Sequence, residues 1–195
     1  MDDFEGTNFV DRKAELKLLN AYSKLSGLLI VLGRRRIGKT ALLRRWLSKH
    51  RGLYSQAIEA ARNIQLSQVV EDFSEEFVFP ARPGSWIELL RLLDQDKKQK
   101  IICLDEFQYL VKADPSLPSV LQRWLDHENK SKNLIVLSGS STKIMTETCI
   151  HANSPLYGRA RQVIHLQPIA YPFFCEYLST VPSLTRFSSA ELVLG

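Results

Sequence analysis

Residues 33–40 of this 195-residue chain read Gly-Arg-Arg-Arg-Ile-Gly-Lys-Thr, and this stretch decides the fold. It fits G-x-x-x-x-G-K-[ST] at every position. Its two glycines allow a loop whose backbone N–H groups turn inward, and a helix directly after the loop adds its own amides. Such a loop surrounds phosphate oxygens, with Lys39 reaching the β- and γ-phosphates and Thr40 binding Mg²⁺. The expected nucleotide contacts are Gly33, Arg34, Arg35, Arg36, Ile37, Gly38, Lys39, Thr40 and Ala41.

The segments around this loop have the context that such a phosphate loop requires. Leu28–Leu32 is a continuous apolar run, typical of a strand buried on both faces. Thr40–His50 carries apolar residues at helical spacing, and Asp11–Ser26 is a predicted helix with Asp11 available as its N-cap. The pattern therefore predicts helix, strand, loop and helix in that order.

The rest of the chain continues the alternation of strands and helices. Further strands are predicted at Leu53–Ala57, Ile101–Leu104, Asn133–Leu137 and Gln162–Leu166. Further helices are predicted at Asn63–Phe77, Ser85–Leu93, Pro115–Glu128 and Tyr171–Leu178. Alternating buried strands and helices indicate an α/β fold with a mostly parallel sheet and helices on both faces. Ligands of such sheets lie at the carboxyl ends of the strands.

Two adjacent carboxylates follow the predicted strand Ile101–Leu104. Asp105 stands 66 residues after Lys39, where a carboxylate binds Mg²⁺, usually through water. Glu106 stands where a general base would polarise the attacking water. Four apolar residues followed by Asp-Glu are by themselves more often a plain strand end. Together with the phosphate loop they indicate the second half of a nucleotide-hydrolysing site.

Two further polar positions are candidates for contacts with the reacting phosphate. Ser140 or Ser141, after the strand Asn133–Leu137, would hydrogen-bond the γ-phosphate or the attacking water, or would cap the following helix. The sequence leaves these alternatives open. Arg159 would stabilise the charge of the phosphoryl transition state or sense its loss.

Charge is distributed unevenly along the chain. The 26 basic and 21 acidic residues give a net charge of +5. Ten of the basic residues lie between Leu16 and Ile58, a window without a single Asp or Glu, so the remaining residues carry a net charge of −5. The window is centred on the phosphate loop, which predicts that an anion docks there. ATP is the first candidate, and the basic residues Arg44, Arg45, Lys49 and Arg51 have no assignment within the loop itself.

Other classes of protein are disfavoured by what the sequence lacks. No apolar run approaches the roughly 18 residues of a membrane helix, and the N-terminus is acidic where a secretory signal is basic. We therefore expect a cytoplasmic protein with no membrane partner. The cysteines and histidines are scattered without paired spacing, which disfavours a disulfide framework and a zinc site.

Several strings taken together resemble one family, the archaeal-type ATPases of the STAND class of P-loop NTPases, which are related to AAA-type ATPases. The resemblance runs from about residue 8 to residue 178 with the motifs in the expected order. The strings are Phe9–Leu16, Gly33–Thr40 with its Arg35-Arg36 pair, Leu104–Leu110, Leu137–Ser141 and Pro155–Arg159.

This resemblance implies a three-layer P-loop NTPase of the ASCE type. In such a fold the strand ending in Ser138 separates the Walker A and Walker B strands. The resemblance also implies that Phe9, Val10 and Arg12 lie beside the adenine and that Arg159 senses the nucleotide. Asp11 stands where the family commonly has glycine, and Arg34 where it commonly has proline.

The resemblance also divides the chain into an ATPase core, residues 1–178, and the start of a truncated helical lid, residues 179–195. A missing lid would weaken closure over the nucleotide, which bears on turnover more than on binding.

The leading functional hypothesis is a Mg²⁺-dependent domain that binds and hydrolyses ATP, with ATP and Mg²⁺ as cofactors. One alternative is a slow-hydrolysing nucleotide switch or scaffold that controls a protein partner or its own oligomeric state. Another is a DNA-associated ATPase, which the basic window favours although this segment shows no pattern of interleaved basic and aromatic surface residues.

Overall fold

The computed structural model describes residues 12–50, 52–77, 82–95 and 97–168. They form one five-stranded sheet in which every pairing is parallel, in the order β2-β3-β4-β1-β5. The α/β fold class and the placement of one strand between the Walker A and Walker B strands are thus confirmed. The strands are β1 (Gly27–Leu32), β2 (Gly52–Gln56), β3 (Ile101–Asp105), β4 (Leu134–Gly139) and β5 (Ala160–His165).

The register of the sheet brings three functional strand ends to one edge. Leu134 at the start of β4 pairs with both Gly27 of β1 and Ile101 of β3, so the three central strands begin level with one another. They are five or six residues long and run in the same direction. The residues that follow β1, β3 and β4 therefore meet at the carboxyl edge of the sheet.

Helices cover both faces of the sheet, as predicted. Successive strand residues point to opposite faces, so Leu29 and Val31 pack beneath the first two helices while Leu28 and Ile30 pack beneath the others. The first face carries α1 (Lys13–Tyr22) and α2 (Lys39–Leu47). The second carries α3 (Arg62–Asp72), α4 (Trp86–Leu93), α5 (Phe107–Ala113), α6 (Leu117–Arg123) and α7 (Thr142–Met145).

Short irregular turns extend several of these helices. A 3₁₀ turn, Ser74–Glu76, follows α3, and π-helical turns, Trp124–Glu128 and Thr146–Ile150, follow α6 and α7. Within the described part of the chain no helix is long and apolar enough to cross a membrane.

Element boundaries differ from the predictions for local physical reasons. The first helix begins at Lys13 because Arg12, at its N-cap, has a left-handed φ of 71°. The third central strand extends through Gly139, since Ser138 and Gly139 continue the pairing with β1. Helix α5 was not predicted, because Asp105 and Glu106 were considered only as the end of a strand.

Other predictions lie outside the described residues. These are the N-cap Asp11, the adenine-side residues Phe9 and Val10, the helix Tyr171–Leu178 and the lid segment 179–195.

The cysteines and histidines of the described ranges form no candidate metal centre. Cys103 and Cys149 are buried free thiols, and burial raises the pKa of Cys149 to about 12. No group of three or more His, Cys, Asp or Glu side chains in these ranges is arranged to hold a metal ion.

Candidate nucleotide site

The phosphate loop, residues 33–40, connects the end of β1 to the start of α2. Its two glycines are needed for different reasons. Gly38 has a φ of 91°, which favours glycine although a Cβ there would meet no other atom within 4 Å. At Gly33 a Cβ would collide with Ile37 Cδ1 and would lie 2.9 Å from the carbonyl oxygen of Leu166. Backbone conformation therefore requires glycine at position 38, and close packing requires it at position 33.

Lys39 lies folded against the loop that it belongs to. Its Nζ donates hydrogen bonds to the carbonyl oxygens of Gly33 and Arg34 at 2.9 and 3.0 Å, and the residue is 4% exposed. Burial lowers the pKa of Lys39, while the charges of Glu106 and Asp105 oppose this shift. The ammonium group is therefore held by neutral acceptors, and a polyphosphate would offer it stronger, charged ones.

The two predicted metal ligands are in direct contact. Thr40 Oγ1 donates a hydrogen bond to Asp105 Oδ2 at 2.6 Å, although the residues are 65 positions apart in the chain. Asp105 is fully buried, and its other oxygen, Oδ1, accepts from the backbone N–H of Glu106 at 2.9 Å. Mg²⁺ prefers oxygen ligands and keeps several of its waters, so a hydroxyl beside a carboxylate suits it. These residues fit a magnesium ion, and Thr40 and Asp105 would hold it.

A tyrosine that the sequence analysis did not identify completes this cluster. The Tyr54 hydroxyl donates to the same Asp105 Oδ2 at 2.8 Å. Burial, followed by the charge of Asp105, raises the pKa of Tyr54 well above its ordinary value, so this phenol remains a donor. The signal available beforehand was weak, because Tyr54 lies in a short edge strand that carries no recognisable motif.

Glu106, the predicted general base, is held by two side chains. Its backbone is left-handed, with a φ of 53°, at the junction between β3 and α5. Ser140 Oγ donates to Glu106 Oε2 at 2.7 Å, and Gln108 Nε2 donates to the same oxygen. The Gln108 amide also donates to Ser140 Oγ at 3.1 Å. The contact of the Ser140 hydroxyl with the Glu106 carboxylate is neither of the roles that the sequence left open for this serine.

Gln108 is a second residue that sequence reasoning missed. It is 3% exposed, and its Oε1 has no hydrogen-bond partner among the described residues. Gly139 makes room for it, because a Cβ there would lie 2.7 Å from Gln108 Oε1 and 2.5 Å from Met145 Cγ. The glycine at the end of β4 therefore lets the amide reach both Glu106 and Ser140.

Arg12 braces the loop from outside. Its guanidinium donates to the carbonyl oxygens of Ile37 at 3.0 Å and Gln167 at 2.7 Å, and it pairs with Glu15 at 2.9 Å. The guanidinium of Arg12 is thus held by the protein itself, and its predicted position beside adenine stays a prediction. A cavity of about 330 Å³ opens beside the loop, lined by Leu32, Gly33, Arg34, His165, Leu166, Gln167 and Pro168.

Arg159 does not join this site within the chain. It directly precedes Ala160, which pairs with Leu28 near the start of β1, so it lies at the amino edge of the sheet. Strands of this length separate the two edges by about 15–20 Å. Its guanidinium instead donates to both carboxylate oxygens of Asp126, at 3.0 and 2.7 Å, and this contact lowers the pKa of Asp126. The structure thus places Arg159 away from the phosphate loop of its own chain, and its predicted role at the nucleotide stays a prediction.

The acid-free window forms one face of the molecule together with the phosphate loop. It spans most of α1, all of β1 and α2, and β2, so its helices lie on the same side of the sheet. Arg44 lies with its guanidinium 4.8 Å from the centre of the Tyr54 ring. Exposed basic residues on this face and loop are Lys17, Lys24, Arg34, Arg35, Arg36, Arg44 and Lys49.

Comparisons with known proteins identify a sequence relative and two proteins of similar fold. An uncharacterised protein of Methanocaldococcus jannaschii is 32% identical over 174 residues, which cover 87% of this chain and 38% of that protein. The Walker-type ATPase PABY2304 of Pyrococcus abyssi has the same fold, with a TM-score of 0.71 and 21% identity over 92% of this chain and 59% of that one. The Orc1 protein of Aeropyrum pernix, solved in complex with DNA, follows with a TM-score of 0.68 and 19% identity, covering 92% of this chain and 51% of that one.

The chain thus spans less than two thirds of the length of each of these proteins. The two structural likenesses, at about a fifth identity, establish the fold, whereas the family rests on sequence. Residues 9–181 match a family described as an ATPase domain predominantly from Archaea, and the chain belongs to that family.

Proposed function

We propose that this domain binds ATP with Mg²⁺ and hydrolyses the bond between the β- and γ-phosphates. The observation that carries the proposal is the 2.6 Å hydrogen bond between Thr40 and Asp105. It joins the phosphate loop to the acidic end of β3, and in this proposal the neighbouring Glu106 lies beside the γ-phosphate. A strand end that merely happened to be acidic would have no reason to contact the loop.

In this proposal the chain's residues act on the polyphosphate and on one water molecule. The loop amides and Lys39 bind the phosphate oxygens, and Glu106 accepts a proton from the water as its oxygen attacks the γ-phosphorus. The bond from that phosphorus to the bridging oxygen breaks, and ADP leaves with the electron pair. Ser140 and Gln108 orient the Glu106 carboxylate. Mg²⁺, held by Thr40 and Asp105, would neutralise charge on the β- and γ-oxygens.

The cavity beside Gly33 and Arg34 supports a nucleoside at the other end of the site. It opens between the ends of β1 and β5, on the flank of the loop away from β3. A nucleotide whose phosphates lie in the loop would extend its sugar and base in this direction. Leu32 and Leu166 supply apolar surface to the cavity.

The test separates binding from hydrolysis. Glu106→Gln should bind ATP with Mg²⁺ as tightly as the unmodified chain and should hydrolyse it about 10²- to 10⁴-fold more slowly in single-turnover assays. Glu71→Gln, an exposed carboxylate on α3, is the matched control and should leave the rate unchanged. The assignment is wrong if the unmodified chain fails to bind ATP, or if Glu106→Gln hydrolyses it at the original rate.

A slow-hydrolysing switch is a second candidate, and the hydrogen bonds on Glu106 favour it. Ser140 and Gln108 both donate to Glu106 Oε2, so one of the two oxygens that could take a proton from water is already engaged. A switch would assemble differently with ATP and with ADP. Light scattering in both nucleotides measures this directly, and one unchanged molar mass would exclude a switch that acts through oligomerisation.

A DNA-associated ATPase is favoured by the one-sided charge. The basic window covers the α1 and α2 face, and the structural relative Orc1 was solved with DNA. Phosphate contacts on this face would make binding steeply salt-dependent. Arg45→Glu with Lys49→Glu should then abolish DNA binding measured at saturating ATP. Equal DNA binding by this variant and the unmodified chain would exclude the face as the DNA site.

A further inference from the structure

We infer that Tyr54 is a positioning residue of the magnesium site, whose hydroxyl fixes the orientation of Asp105 and thereby sets the affinity for the metal ion. The inference deepens the proposed function and rests on it. It concerns a residue two positions before the end of β2, outside the phosphate loop and outside the acidic strand end.

Three hydrogen bonds from described residues hold the carboxylate of Asp105. Oδ2 accepts hydrogen bonds from Thr40 at 2.6 Å and from Tyr54 at 2.8 Å, and Oδ1 accepts from the Glu106 backbone at 2.9 Å. The carboxylate is fully buried, so water cannot readily replace a lost donor. Thr40 is itself a proposed metal ligand. Tyr54 is thus the one side chain in this set that orients Asp105 without serving the ion directly.

The pairing of β2 with β3 places the Tyr54 hydroxyl near Asp105. In the parallel pairing of β2 with β3, Tyr54 is opposite Cys103, and Asp105 lies two residues further along β3. Residues two apart on a strand share a face, so Tyr54, Cys103 and Asp105 all point toward α2. The phenol ring spans the remaining distance along the strand direction to the carboxylate. Phenylalanine would fill the same space without reaching the oxygen.

The Tyr54 ring is in contact with a side chain of α2. Arg44 lies one helical turn after Thr40 on α2, and its guanidinium is 4.8 Å from the ring centre, a cation–π contact. One helix therefore contributes both the threonine that contacts Asp105 and the arginine that packs on Tyr54. The tyrosine is fixed from the helix and from the sheet at the same time.

A phenol donates a hydrogen bond to Asp105 without carrying a charge. A lysine or arginine in the same place would neutralise Asp105 and compete with the metal ion for its charge. A neutral hydroxyl orients the carboxylate and leaves the negative charge available to a cation. Residues that hydrogen-bond metal-binding side chains commonly change metal affinity 10- to 100-fold when they are replaced.

Tyr54→Phe tests the inference, because it removes one oxygen and keeps the ring. The apparent dissociation constant for Mg²⁺, measured by titrating the metal into the complex with a non-hydrolysable ATP analogue, should rise about 10- to 100-fold. Affinity for the analogue in EDTA should stay unchanged, which a general structural defect would not allow. Tyr22→Phe is the matched control, since its hydroxyl lies 3.4 Å from Gln162 Oε1 on the same face of the sheet.

Asp105→Asn separates failure of this inference from failure of the proposed function. If Asp105→Asn binds Mg²⁺ as well as the unmodified chain does, the magnesium site is misplaced and the inference falls with it. If Asp105→Asn loses the metal and Tyr54→Phe binds it normally, the site stands and the role of Tyr54 is overturned. Thermal unfolding of each variant identifies any that has lost its fold, and loss of metal binding through unfolding of Tyr54→Phe would also count against a positioning role.

Discussion

Replacing Gln108 with leucine isolates the contribution of one amide to the candidate site. The side chain keeps nearly the same volume, and both hydrogen bonds from Nε2, to Glu106 and to Ser140, are lost. Ser140 Oγ remains 2.7 Å from Glu106, so the carboxylate keeps one of its two side-chain donors. The variant should bind ATP normally and should hydrolyse it more slowly.

The size of the effect follows from the lost hydrogen bond. A hydrogen bond to a charged group contributes about 1.5–3 kcal/mol. If the loss appears as a poorly oriented base in the transition state, each 1.4 kcal/mol lowers the rate about tenfold. The expected fall in kcat is therefore about 10- to 100-fold, with KM unchanged.

The same change should leave the free energy of unfolding nearly unchanged. Gln108 is 3% exposed, and its Oε1 lacks a hydrogen-bond partner among the described residues. Removing such a buried acceptor returns about 1–3 kcal/mol, which offsets the loss of the amide's hydrogen bonds. We therefore expect the free energy of unfolding to change by less than about 1.5 kcal/mol. Activity and stability should separate in this variant.

The assay pairs single-turnover hydrolysis with urea unfolding. Gln68→Leu is the control, because its amide also donates to a carboxylate, Asp72 Oδ1 at 3.0 Å, on the exposed surface of α3. It should leave kcat unchanged. An unchanged or faster kcat in Gln108→Leu would refute the positioning of Glu106 by this amide. A raised KM with normal kcat would instead show that Gln108 serves nucleotide binding.

Two further predictions concern charged groups. Burial lowers the pKa of unliganded Lys39 below 10.5, and a polyphosphate would raise it again, so ATP binding should take up protons at alkaline pH and weaken as pH rises further. Calorimetry in two buffers of different ionisation enthalpy measures this uptake, and identical heats after buffer correction would contradict it. Arg159→Ala should change the ATP affinity of the isolated chain by no more than about twofold, because the two edges of the sheet are further apart than the screening length of about 8–10 Å. Equilibrium binding measures the affinity, and a tenfold loss would contradict the placement of Arg159.

The sequence predicted those parts of the site that topology alone determines. Asp105 and Ser140 follow their strands, and parallel strands bring such residues to the edge where the phosphate loop lies. Arg159 carried the opposite signal, because it precedes the strand predicted at Gln162–Leu166 and so belongs to the other edge.

The contacts of Tyr54 and Gln108 could not be predicted, for a different reason. The reach of Tyr54 to Asp105 depends on the register between β2 and β3, which places Tyr54 opposite Cys103. The reach of Gln108 depends on the left-handed backbone of Glu106 and on the missing Cβ of Gly139. Neither register nor backbone strain can be read from apolar periodicity.

The Arg12 side chain links two distant parts of the backbone, the phosphate loop and the segment after β5. A single guanidinium bonds Ile37, inside the loop that would hold phosphate, and Gln167, where the chain leaves the last strand of the core. A displacement of the loop by a few tenths of an ångström would be transmitted to that exit through one rigid, planar group, without any rearrangement of the sheet. Arg12 therefore connects the backbone of the phosphate loop directly to the backbone that follows β5.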